Sequence, residues 1–70
     1  MIDGFHERFN RAMKQKNLTP GIVAIKSGMS ERQIRNYQKG QSQPGGYSLK
    51  VLAKALGVSV DYLLGIEEET

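Results

Sequence analysis

Glycine and hydroxyl residues punctuate this chain at intervals that leave room for helices and for little else. Gly28, Gly40, Gly57 and Gly65 each follow a stretch of apolar residues at three- and four-residue spacing, where a left-handed residue ends a helix at least cost. Thr19, Ser30 and Ser59 each precede such a stretch, where a side-chain oxygen can accept from the N–H groups that a first turn leaves unpaired. This reading divides the chain into five helices with short connections and leaves no segment for a strand. The expected class is all-α, a compact five-helix bundle.

The first helix, from about Gly4 to Lys16, places Phe5, Phe9, Ala12 and Met13 on one stripe, which is predicted to be core. Asn17 can close it in the left-handed conformation, with Leu18 anchoring the connection. Thr19 is the expected cap of the second helix. Pro20 takes the first helical position, where a missing N–H loses nothing. Gly28 ends that helix, and Ser30 with Gln33 makes a Ser-x-x-Gln capping box for the third, which runs to Lys39. Gln41 to Gly46 reads as an ordered turn. The fourth helix, Tyr47 to Leu56, sets Leu49, Leu52, Ala53 and Leu56 on one face, and Ser59 caps a short fifth, Val60 to Leu64. The division is one domain over residues 1–66 and an acidic tail over 67–70.

Composition narrows the function. The 70 residues contain no cysteine, and His6 is the single histidine, so neither a disulfide framework nor a Cys/His metal site is expected. No apolar run approaches the roughly 20 residues of a membrane span, and the first residues lack the basic and apolar regions of a signal peptide. The expectation is a cytoplasmic protein with no membrane contact. No nucleophile–base set or phosphate-binding glycine loop is present, so neither an enzyme nor a cofactor is expected. The net charge is +3, with the first two thirds basic and the end acidic through Glu67, Glu68 and Glu69. Such a layout orients towards a polyanion.

Helix three carries the sharpest signal. Ile34, Tyr37 and Gln38 fall on one side, while Arg32, Arg35, Asn36 and Lys39 fill the opposite arc. Arginine can grip guanine O6 and N7, asparagine can grip adenine N6 and N7, and lysine suits phosphates. Preceded by a short helix and a Gly-x-Ser turn, this makes a helix-turn-helix of the DNA-binding kind.

The segment "LTPGIVAIKSGMSERQIRNYQKG", with Leu18, Thr19, Ala24, Gly28, Ser30, Ile34, Tyr37 and Gly40 in register, then Pro44, then "LAKALGVSVDYLLG", resembles the lambda-type repressor and Cro family. The resemblance covers about Phe5 to Gly65. It implies a bundle that binds double-stranded operator DNA, commonly as a homodimer on an inverted repeat, and so a sequence-specific transcriptional regulator of the phage or prophage repressor or Cro type. It makes Ser30, Glu31, Arg32, Gln33 and Asn36 the base-edge and nearby backbone contacts, with Lys39, Gln41 and Gln43 along phosphates. Glu31 either accepts from cytosine N4 or pairs with Arg35 four residues on, and the pair is the preferred reading. Tyr47 either touches a phosphate or packs the loop. Tyr62, with Val58 and Leu63, either joins a dimer seam or completes the monomer core.

The sequence departs from the family pattern in three places. Pro20 stands where family members usually carry a phosphate-binding glutamine, leaving Thr19 and the free amides of the helix start to meet a phosphate. Met13 and Gln38 stand where many members pair an arginine with a glutamate; loss of both charges together leaves none stranded, and the stem of Gln38 can pack on Met13. Ile22 and Ile25 fall on the outer side of helix two. They are either ordinary solitary apolar residues or a docking patch for a protein partner. The alternative function is accordingly a protein-interaction module, such as an antitoxin or adaptor, built on the same fold.

Overall fold

The computed structural model describes residues 4–66. It contains five helices, α1 (Phe5–Gln15), α2 (Pro20–Ser27), α3 (Glu31–Lys39), α4 (Gly46–Leu56) and α5 (Val60–Leu64), and no strand among the described residues. The proposed tail at 67–70 lies outside the described residues.

The helix ends follow the local chemistry closely. Thr19, Ser30 and Ser59 each accept from the N–H three residues on, at 3.2, 3.1 and 3.0 Å. Gly28, Gly40, Gly57 and Gly65 all close their helices in the left-handed region, and Asn17 does the same after α1 at φ 55°. The first and fourth helices each differ from expectation at their ends. Gly4 and Lys16 cap α1 rather than belong to it, and Glu7 reaches back to accept from the Gly4 N–H at 3.2 Å. α4 starts one residue early, at Gly46, behind an extended Gly45.

The capping box at α3 is half formed. Ser30 accepts from Gln33, but the Gln33 amide does not return to the Ser30 backbone; it donates to the Tyr37 hydroxyl at 2.9 Å. Tyr37 lies one turn further along the same side, so its hydroxyl offers an acceptor where the side chain already points.

The five helices close a ring. α1 packs against α3 and α5, α2 against α3 and α4, and α4 against α5. Inside lie the stripes read from the sequence, joined by Val23 and Leu63; Phe9, Val23, Ile34, Leu52, Leu56 and Leu63 are wholly buried, each contributing about 1.5–3 kcal/mol by leaving water. Phe5 and Phe9 stack with centroids 5.2 Å apart, and both meet the edge of Tyr37 at 5.8 and 6.2 Å. This aromatic trio fixes the last turn of α3 against α1. No polar or charged residue is buried among the described residues. Met13 is buried in the core and Gln38 half-buried. Asn10 makes a polar link between these helices, its amide donating to the Gln38 carbonyl at 2.8 Å.

Leu63 corrects the expected partner surface, because it is fully buried. α5 is clamped by α1 and α4 and must turn one side inward. Leu63 is on that side, while Leu64, about 100° further round, is 46% exposed.

Candidate nucleic-acid interface

The turn between α2 and α3 is built residue by residue. Gly28 donates to the Ala24 carbonyl at 2.9 Å, and Met29 donates to Ser27 Oγ at 3.3 Å. Ser27 Oγ in turn donates to the Ala24 carbonyl at 3.4 Å. Met29 packs against the core, and Ser30 then caps α3. Local hydrogen bonds thus shape the turn, and α3 is anchored by the buried Ile34 and Tyr37.

With that side buried, the outer side of α3 is left to Glu31, Arg32, Arg35, Asn36 and Lys39, which line one open groove. Arg32, Arg35 and Lys39 are exposed, and Asn36 is half-buried. The expected cluster is brought together with three qualifications. Gln33 is half-buried and its amide nitrogen is committed to Tyr37, so it stands at the edge of the groove rather than in it. Ser30 and Thr19 are exposed, but each hydroxyl already accepts from its own helix. Glu31 pairs with Arg35 along the helix, the alternative preferred from sequence. Gln41 and Gln43 are exposed beyond the end of α3, on either side of a half-buried Ser42.

Tyr47 does not pack the loop, since it is largely exposed at the start of α4. His6 is exposed, and its ring lies against the end of α3: a Cβ placed on Gly40 would sit 3.2 Å from its Cγ and Nδ1. Together with the left-handed φ of 75°, this leaves that position to glycine.

Ile22 is partly exposed and Ile25 is 83% exposed, as the helical phase predicts. Val58 and Tyr62 are half-buried against the core, and the Arg8 guanidinium lies 5.1 Å from the centre of the Tyr62 ring. Sequence reasoning missed Leu64 and Ile66, the latter 67% exposed, which extend an apolar surface from the end of α5. The available signal was the adjacent pair Leu63-Leu64, since neighbours on one short helix cannot both face inward. Asn10 was also missed, and nothing in its spacing marks it out. Among the described residues no three His, Asp or Glu side chains gather as metal ligands, and no helix is long and apolar enough to cross a membrane.

A family model described as helix-turn-helix matches residues 10–63, more than half of the chain. The chain belongs to the helix-turn-helix family. That family is one of DNA-binding transcription regulators and not of enzymes. A helix-turn-helix relative, the uncharacterized HTH-type transcriptional regulator y4dJ of Sinorhizobium fredii, is 36% identical over 62 residues, covering 89% of this chain and 80% of its own length. The P22 c2 repressor in complex with synthetic operator 9T superposes with a TM-score of 0.84 at 28% identity, over 93% of this chain and 98% of that one. The solution structure of the DNA-binding domain of the same repressor gives a TM-score of 0.89 at 25% identity, over 100% and 95% of the two chains. The five-helix fold is therefore that of the repressor-type helix-turn-helix domains.

Proposed function

We propose that this helix-turn-helix protein is a sequence-specific DNA-binding transcription regulator of the repressor or Cro type, acting by occupying an operator with α3 in the major groove. The observation that carries the reading is the division of α3 into a side pinned by Ile34 and Tyr37 and a side offering Arg32, Asn36 and Lys39. A recognition helix needs both, because base-edge hydrogen bonds discriminate only if the donors arrive in one fixed register. The P22 c2 repressor, similar in sequence and fold, is bound to an operator in its crystal structure, which supports the same target class here.

In this arrangement Arg32 and Asn36 read base edges, with Ser30 and Gln33 beside them. Lys39, Gln41 and Gln43 follow the phosphates, and Thr19 meets one at the start of α2. A homodimer is proposed through the α5 side of the domain, which carries exposed Leu64 and Ile66 and half-buried Val58 and Tyr62. A two-fold dimer reads an inverted repeat whose half-sites are about one helical turn apart.

Selection from a random duplex library, repeated across salt concentrations, tests the proposal. The expected result is one enriched inverted repeat whose affinity falls steeply as salt rises. Absence of any enriched motif at low salt would reject it.

A further inference from the structure

Glu31 is the one acidic residue among those lining the groove on α3. It occupies the first helical position, where a negative charge suits the positive end of the helix dipole. One carboxylate oxygen is paired with Arg35, at i and i+4 with the glutamate first, the favourable order along a helix. The other reaches back to the start of α2, where a Cβ placed on Gly21 would lie 3.5 Å from Oε1. The two side chains are 47% and 59% exposed, so water screens the pair and its contribution to folding is small.

The position of the pair matters more than its strength. A carboxylate held on Arg35 in a cationic groove cancels a charge that would otherwise be open to a phosphate. Arg35 is thus neutralised within the helix, while Arg32 and Asn36 have no such internal partner among the side chains lining the groove.

We infer that Glu31 is a positioning residue that acts through Arg35 as an internal stand-in for a DNA phosphate, weakening binding to every duplex alike and leaving discrimination to Arg32 and Asn36. The inference rests on the DNA-binding reading above. Its effect is a shorter residence on all sequences, because a phosphate contact that carries no sequence information is withheld.

Glu31→Gln, Arg35→Gln and the double variant of the full chain test it, each titrated against the selected duplex and a scrambled duplex of equal length over a range of salt. Glu31→Gln should tighten both duplexes by a similar factor, about two- to fivefold at low salt, as expected for one surface charge pair released. Its plot of log affinity against log salt should steepen by about 0.9, the signature of one more neutralised phosphate. Arg35→Gln alone should change the slope little, but in the Glu31→Gln background it should remove the whole gain. A merely structural role for Glu31 would move the melting temperature and leave the slope alone.

Loss of affinity for the selected duplex only would make Glu31 a base reader and overturn the inference. No change in affinity or slope would overturn it as well. If the unaltered protein binds neither duplex at low salt, the DNA-binding reading falls and takes this inference with it; binding by the unaltered protein with an unresponsive Glu31→Gln removes only the inference.

Discussion

α2 and α3 are built to the same plan and turn different characters to solvent. Each has eight or nine residues, a hydroxyl cap accepting from the third N–H, and a left-handed glycine at its end. Each is anchored by a fully buried aliphatic residue, Val23 in one and Ile34 in the other. The outer side of α3 is Arg32, Arg35, Asn36 and Lys39, whereas that of α2 carries Ile22 and Ile25 beside Lys26. A regular helix with good caps therefore says nothing about which surface is functional. What separates the two is whether the exposed groups can make directional hydrogen bonds, and only α3 offers a set of them in one register.

The comparison breaks most completely where α3 is anchored. Ile34→Ala removes a wholly buried side chain from beneath the cationic side of α3 and should cost about 2–5 kcal/mol of stability in urea unfolding. DNA binding should fall with it, since the outer side chains lose their fixed register. A smaller and more selective effect is expected at the outer side. Arg32→Ala should cost about 1–3 kcal/mol of affinity for the selected duplex and relax the preference at one base position, with unchanged thermal unfolding. A uniform loss across all sequences would place Arg32 on phosphate rather than on a base.

The caps sharpen the contrast between the helices at a lower level. Thr19→Ala and Ser30→Ala each remove one acceptor and should each destabilise the fold by about 1 kcal/mol. If Thr19 also meets a phosphate, its variant should lose more DNA affinity than its stability change accounts for. The smallest effect belongs to the outer side of α2. Ile22→Gln together with Ile25→Gln should change stability by no more than about 0.5 kcal/mol and leave DNA affinity as it was. A large loss in sedimentation-measured self-association or in binding would show that this side has a partner.

Much of this molecule is legible without coordinates because its punctuation is local. The side chain of Thr19, Ser30 or Ser59 needs only the N–H three residues ahead of it, and a glycine stop needs only its own backbone freedom. The inward sides of α1, α3 and α4 are equally readable, since nine to eleven residues give two or more turns for a periodic stripe to declare itself. The same logic gave the pairing of Glu31 with Arg35, four residues apart on one helix.

What stayed hidden involves partners distant in sequence or a helix too short to show a period. Five residues in α5 place Leu63 and Leu64 side by side, and which one is buried was decided by where α1 and α4 approach. Asn10 meets the Gln38 carbonyl, His6 lies on Gly40 and Lys16 donates to the Gly57 carbonyl at 3.4 Å, all across separations that no local pattern encodes. The Gln33 amide, expected to reach back to the Ser30 N–H, instead donates to the Tyr37 hydroxyl, which the aromatic packing of Phe5 and Phe9 holds in place. The sequence by itself determined where the helices begin and end, apart from a single residue at each end of α1 and at the start of α4, and which side of the longer ones carries charge. The tertiary structure alone decided which of those side chains remain free to bind, because that depends on neighbours brought together only when the ring of helices closes.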